Sequence, residues 1–479
     1  MKRIVMLAAM LGIFSLVAFA QFNLAVNVSN TPDTPSMWPQ VAFGPDGILH
    51  VVWVENLTSA KTNVMHATYD GVSVSEPEKI SGSGTHACYF PHIAMNNKGK
   101  IAVIWGQYNE HWLAVYDPDQ KVWLDPEMVA DQYFGSGFLS RPKIAMDEDG
   151  NIYTFFFANY NCFSRSLIND VWEPIFQLDG GGVTAKEGGI CAAPDGKIWA
   201  VYGIKQAGGD YKNAYRTRTK DTPWSGPDLA TKLGNSQEQP HIGVGLNSIP
   251  YLVYLGNDGQ EGSNIINLGK MDGVENLATA IVGPSAFHYP RVAVDDLGFQ
   301  HIATQYGQGD HGLGIQYFTN ASGAWTGLGI LPNSQGEPKL PGIASEAYGN
   351  IAVSYDSLTN GLKEAYITTR YPVVAKHFYA PVNTAITIAY TGVMSSEPRA
   401  VYSLSWAKNP DNNDQYIRGY KIYTKLGSGD WQLLNEFNKV TFTLDISYTG
   451  ADNPYMTQKV HFAISTVSII GLEGDRVTF

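Results

Sequence analysis

A unit of about 50 residues recurs seven times along this chain, and that recurrence constrains the fold more than any other feature. Its clearest copy runs from Pro142 to Phe157, PKIAMDEDGNIYTFFF. It reads as an apolar strand, a tight acidic-Gly turn, and a second strand rich in β-branched and aromatic residues. Aligned on the first apolar residue and the turn residue six positions later, the copies are Val41/Gly47, Ile93/Gly99, Ile144/Gly150, Ile190/Gly196, Ile242/Ser248, Val292/Gly298 and Ile343/Gly349. The turn positions lie 52, 51, 46, 52, 50 and 51 residues apart, and Ser248 alone replaces Gly.

Each unit holds four β segments, in the second copy PHIAMN, KIAVIWG, HWLAVYD and VWLDPEMVA. Short antiparallel strands repeated radially predict an all-β chain built on a seven-bladed β-propeller, spanning residues 21–375. A solenoid and a kelch propeller are the competing repeats, but the Gly-Gly pair of kelch copies does not recur here. The blades begin near Pro39, Pro91, Pro142, Gly188, Pro240, Pro290 and Pro341. No fourth strand is evident in the seventh unit before residue 376. Residues 22–29 (FNLAVNVS) are therefore expected to complete it and latch the ring, which removes its open edge.

The period stops near Lys376. The segment SLSWAKNPDNNDQYIRGYKIYTK, followed by KVHFAISTVSIIGLEGDRVTF, resembles a fibronectin type III domain covering residues 376–479. Trp406 matches the core Trp of its second strand, Tyr420, Ile422 and Tyr423 the third, and Val460, Phe462 and Ile464 the sixth. Val460 stands where such domains usually carry a corner tyrosine. Residues 21–372, through the repeated P-x-I-A-x-x-x-x-G-x-I-x-V-x-W/Y pattern, resemble the seven-bladed propellers grouped with sialidase-like repeats. That group includes secreted polysaccharide lyases and glycosidases. The S-x-D-x-G-x-T-W turns of many sialidases are absent, which counts against a sialidase.

The first 20 residues carry Lys2 and Arg3, an apolar run, and small residues at Ala18 and Ala20, the pattern of a secretory signal peptide. Removing them moves the net charge from −12 to about −14, which disfavours a nucleic-acid partner. No later stretch is long enough for a membrane span, so a secreted or periplasmic monomer is expected. Three cysteines allow at most one internal disulfide, and Cys88 with Cys162 is the pair that neighbouring blades could join.

The connection entering each inner strand and the one between its second and third strands share one propeller face. The position just after each inner-strand Pro reads Gln40, His92, Lys143, Gly189, His241, Arg291 and Gly342. Five of these seven are polar and four can be cationic, so the pattern predicts a ring at the channel mouth that receives an anion. The alternative is that these groups only solvate the channel and pair with Glu187 or Glu238. Aromatic residues expected on the same face, among them Trp38, Tyr89, Phe90, Tyr108, Tyr133, Phe134, Tyr160 and Tyr289, suit stacking on sugar rings.

For a uronate polysaccharide, β-elimination needs a cation to neutralise the carboxylate, a base, and an acid. Arg291 or Lys143, His92 or His241, and Tyr89 or Tyr289 are the candidates for these roles, with Gln40, Arg141, Lys143, Trp38 and Tyr108 as candidate substrate contacts. Hydrolysis would instead need two carboxylates from Glu110, Glu187, Glu238, Asp258 and Asp310. A further alternative is a non-catalytic adhesion scaffold for a cell-surface glycan or another extracellular protein. No cofactor is expected. His288 with Asp310 and His311 lacks zinc-ligand spacing, and the Asp147–Gly150 turn lacks the downstream Glu of a calcium loop.

Overall fold

The computed structural model describes residues 22–58, 61–82, 86–131, 141–181, 184–206, 209, 211–230, 238–256, 265–271, 275–282, 287–296, 298–308, 311–321, 324–334, 336–346, 350–370, 380–391, 399–410, 412, 417–438, 443–449, 459–468 and 473–478. Among these residues the chain is all-β, and none of its described segments is a helix long and apolar enough to cross a membrane. The expected signal peptide, Tyr133 and Phe134 lie outside the described residues.

Seven antiparallel sheets of four or five strands follow one another along the chain. Their innermost strands are Ser36–Phe43, Cys88–Met95, Lys143–Met146, Ala185–Ala192, Glu238–Val244, Phe287–Val294 and Gly342–Ser345. Each touches the next in that order, and the last touches the first, so the sheets close into a propeller ring. Seven apolar clusters fill the seven junctions. The cluster that closes the circle joins Val28, Val41, Val51 and Trp53 to Ala352, Ala365 and Ile367.

In that last sheet the outermost strand is Val26–Asn27, paired antiparallel with Leu362–Thr369. Ser29 donates to the buried Glu364 carboxylate, and the Thr31 backbone N–H reaches the same oxygen at 3.2 Å. The N-terminal and C-terminal ends of the ring are thus joined by both backbone and side-chain bonds.

The repeated turn explains the repeated Gly. Gly47, Gly99, Gly150, Gly196 and Gly298 hold φ between 80° and 87°, and Ser248 holds 57°. Each N–H closes the turn onto the carbonyl three residues earlier, as in Gly150 to Asp147 at 3.0 Å. This left-handed position strains any residue with a Cβ, so Gly recurs.

Neighbouring blades are also clipped at their rims at a constant separation. The indole N–H of Trp123 donates to Glu78 at 2.8 Å, that of Trp172 to Glu127 at 2.7 Å, and Arg218 pairs with Glu173 at 2.5 Å. All three cysteines are free thiols, so the Cys88–Cys162 pairing open to the sequence does not form. The Cys88 thiol points instead to Gln107 Oε1 at 3.7 Å, and Cys162 to the Lys186 carbonyl at 3.2 Å.

Beyond the ring, a three-stranded sheet (Val382–Thr391, Arg399–Ala407, Thr443–Thr449) is accompanied by a four-stranded one (Gln432–Asn438, Ile417–Leu426, Val460–Ser468, Glu473–Thr478). They share a core of Tyr402, Leu404, Trp406, Tyr420, Ile422, Phe462 and Ile464, which makes this part a β-sandwich.

Candidate functional site

The residues that build the site are positioned by a bulge near the start of the inner strands. Pairing with the second strand slips by one residue between Met37 and Gln40, Tyr89 and His92, Glu238 and His241, and His288 and Arg291. A proline sits inside each of these intervals, where its missing N–H would otherwise break the ladder. The residue before it takes a left-handed conformation, Trp38 at φ 56°, Phe90 at 49°, Gln239 at 52° and Tyr289 at 50°, and so does Leu340 before Pro341 in the seventh blade, at 49°. A bulky residue held there costs on the order of 1–3 kcal/mol, and such strain clusters where a side chain is being aimed.

What the bulges aim is a connected row of rings and a guanidinium. Trp38 packs on Phe90 with ring centroids 4.3 Å apart. Arg141, from the third blade, sits with its guanidinium 5.4 Å from the Phe90 ring and 4.4 Å from the Tyr289 ring of the sixth. It also donates to the Tyr289 hydroxyl at 3.2 Å. Since those blades lie nearly opposite, this contact crosses the channel axis. Tyr89 borders the row, 6.2 Å from Trp38. The backbone N–H of Tyr289 donates to Gln239 Oε1 at 2.6 Å, and that of Trp38 to Asp356 Oδ2 at 3.3 Å, so the strained turns are held by buried side chains.

Past the bulge, Gln40, His92, Lys143, Gly189, His241, Arg291 and Gly342 face Val52, Ile104, Phe155, Val201, Val253, Ala303 and Ser354 across the first ladder. They therefore occupy one level of the ring. The sequence pattern places this ring at the mouth; the structure places it inside, with Lys143 and Arg291 each 7 % exposed. In the first, second, fifth and sixth blades the extra bulge residue gives the mouth to the pre-proline side chains and draws the next residue inward.

Burial, then Lys143 and Arg291, hold the His92 imidazole well below its usual range. Burial, then Arg291, Lys143 and His92, do the same to His241. Both are neutral near pH 7. His241 Nδ1 accepts the Val292 backbone N–H at 3.3 Å, so its ring proton is on Nε2. Gln40 is spent on structure, donating to the Pro39 carbonyl at 2.9 Å and the Leu340 carbonyl at 3.4 Å.

Tyr108 is 59 % exposed at the tip of a second-to-third-strand turn and stacks on His86 at 5.2 Å. Tyr160 occupies the equivalent exposed tip of the next blade. Both are peripheral to the central row. Of the carboxylates named for hydrolysis, Glu110 accepts the Trp112 indole N–H at 2.9 Å. The side chains of Glu187 and Glu238, with Asp258, Asp310 and the His311 side chain, lie outside the described residues. Within the described residues no three His, Cys, Asp or Glu side chains are grouped to hold a metal. Sequence reasoning missed the Arg141–Tyr289 crossing; the only trace of it is the recurrent X-Pro inside a strand, which signals a bulge.

No family model and no curated protein matches the chain. Among solved structures it is similar to a protein of unknown function from Dyadobacter fermentans, at 11 % identity and a TM-score of 0.46, covering 73 % of this chain and 98 % of that one. It is also similar to an α-L-arabinanase of Penicillium chrysogenum (14 % identity, TM-score 0.41, covering 59 % and 92 %). A sialidase of Trypanosoma rangeli gives 8 % identity and a TM-score of 0.42, covering 96 % and 88 %.

Proposed function

We propose that this is an exported, glycan-engaging protein that binds an acidic polysaccharide on the bulged face of the propeller. The observation that carries this reading is the row Trp38–Phe90–Arg141–Tyr289: flat apolar faces for sugar rings, with a fixed guanidinium among them for a carboxylate or sulfate. The C-terminal sandwich we read as a fibronectin type III module that spaces or tethers the propeller.

The cleavage chemistry that these groups fit is β-elimination of a uronate. Lys143 or Arg291 would neutralise the carboxylate. Neutral His92 would take the proton α to it while the bond to the leaving sugar oxygen breaks. Tyr89 or Tyr289 would return a proton to that oxygen. The test is to incubate the full-length protein with uronate polysaccharides and follow the ultraviolet absorbance of the unsaturated product. A rise that His92→Ala abolishes is expected. New reducing ends without that absorbance would mean hydrolysis. No product of either kind would leave a binding protein and remove the elimination step.

A further inference from the structure

We propose that a groove between the second and third blades, on the face opposite the aromatic row, docks a protein segment that presents lysine or arginine beside apolar side chains. This goes beyond the glycan reading and stands without it.

The groove follows from how these two blades are stitched. In an antiparallel blade, the turn after the inner strand and the turn between third and fourth strands share the face away from the bulges. The outer edge of the second blade is broken into Val122–Trp123 and Glu127–Ala130, both paired with Glu110–Asp117, which leaves Asp125 and Pro126 outside the ladder. Deep in the junction, Leu113 and Leu167 belong to the packed apolar cluster between the two blades. Towards the surface that cluster opens into a cavity of about 600 Å³, whose floor also includes Val115 and Leu124. Leu124 is 45 % exposed, and Val171, next to the lining Asp170, is 67 % exposed. The apolar surface thus continues from the floor onto the rim, further than a small amine would cover.

Charge says what would cover it. Asp117, Asp119, Asp125, Glu127, Asp149 and Asp170 line the groove, against two cations, Lys98 and Lys100. Lys100 Nζ is held by the Gly150 carbonyl at 3.0 Å and by Asp170 at 3.5 Å, and Asp149 pairs with Lys220 at 3.5 Å. Glu127 accepts the Trp172 indole N–H, and Asp117 accepts backbone N–H groups of its own turn. Those donors are neutral, so neither carboxylate's charge is offset by its bonding partner. Asp119 and Asp125 make no side-chain hydrogen bond or ion pair among the described residues. The surplus around the apolar floor is therefore negative. An acidic glycan is repelled there, and a wholly apolar partner would leave these carboxylates without counter-charge. A basic and apolar segment satisfies both demands, its apolar parts on Val115 and Leu124 and its cation towards Asp119 and Asp125.

The experiment uses the full chain and two labelled peptides, one alternating leucine with lysine and one alternating leucine with glutamate, read by fluorescence polarisation. Wild type should bind the lysine peptide at least tenfold more tightly than the glutamate peptide. The double variant Asp119→Lys with Asp125→Lys should weaken lysine-peptide binding about tenfold. Carbodiimide, which joins a carboxylate to an amine with loss of water, should couple the lysine peptide to Asp119 or Asp125 of wild type. Equal binding of the two peptides, binding of neither, or undiminished binding by the folded double variant would overturn the proposal. If the double variant does not fold, mass spectrometry of the coupled wild type decides: coupling only elsewhere overturns the assignment. Spermidine that displaces the peptide at equal concentration would mean a polyamine site, which also overturns the choice of partner. Uronate affinity should be the same in the double variant and is measured separately, so either idea can fail without the other.

Discussion

Brought from pH 7 towards pH 5, the protein should lose several kcal/mol of stability. His111 and His301 are fully buried and His50, His92 and His241 half-buried, and desolvation is the first cause lowering each of them, to about 3 for His50 and about 4 for His111. In the unfolded chain each titrates near 6.5. The unfolded state thus binds protons that the folded state refuses, so their penalty is absent above that value and grows as pH falls. It stops growing only below the folded values. Each group contributes about 1.4 kcal/mol per pH unit in that window. His50 and His111, held furthest below that window, together remove about 3 kcal/mol per unit from a stability of about 5–15 kcal/mol.

His50 adds a local reason. Its Nδ1 lies 3.0 Å from His66 Nε2, and His66 is bonded through Nδ1 to Glu78 at 2.8 Å, so the imidazole pair has room for one shared proton between its rings. Denaturant melts between pH 7.5 and 5 would measure the slope. His111→Phe, which keeps the ring stacked on Phe156, should shift the acid midpoint downward. A flat profile across this window would contradict the burial of these rings.

Replacing Asp356 by Ala should cost about 3–5 kcal/mol, because it strands a charge and releases a strained turn together. Asp356 is fully buried, receives Lys363 Nζ at 2.8 Å, and accepts the backbone N–H of Lys339 at 3.1 Å and of Trp38 at 3.3 Å. Its loss leaves the Lys363 ammonium with the Glu337 carbonyl at 3.1 Å in place of a buried carboxylate. The left-handed Trp38 also loses a hydrogen bond that holds it. Asp356→Asn, which keeps the shape, should be milder in denaturation and should retain more glycan binding than Ala. A loss below about 1 kcal/mol for Ala would show that the pair does not hold the bulge.

Much of this architecture is written in single residues. The Gly of each turn announces a left-handed corner, and the one departure, Ser248, adopts the same conformation with strain. The second strands read directly from continuous apolar runs, as around Trp53 and Trp105, both fully buried. The site was less legible. The recurrent inner-strand Pro marked a bulge, but which side chain a bulge sends to the mouth depends on backbone geometry that no spacing records. Lys143 and Arg291 of the candidate ring lie buried, while Trp38, Phe90, Arg141 and Tyr289, which the sequence also placed on that face, form one connected row. The contact between Arg141 and Tyr289 joins residues 148 apart in sequence, which only closure of the ring brings together. The fourth blade hid its register for another reason. Gly188 stands where the other blades have Pro, and a Cβ there would lie 1.8 Å from the Val201 carbonyl oxygen.

The most direct test is calorimetric titration of a uronate oligosaccharide into the full-length protein and into Arg141→Ala. Binding to wild type should weaken at least tenfold in the variant, the loss of about one charge-assisted contact, while Tyr108→Ala at the periphery changes it less. Equal affinity in a folded Arg141→Ala protein, or no binding to wild type by any acidic glycan, would contradict the assignment of the channel mouth as the binding face.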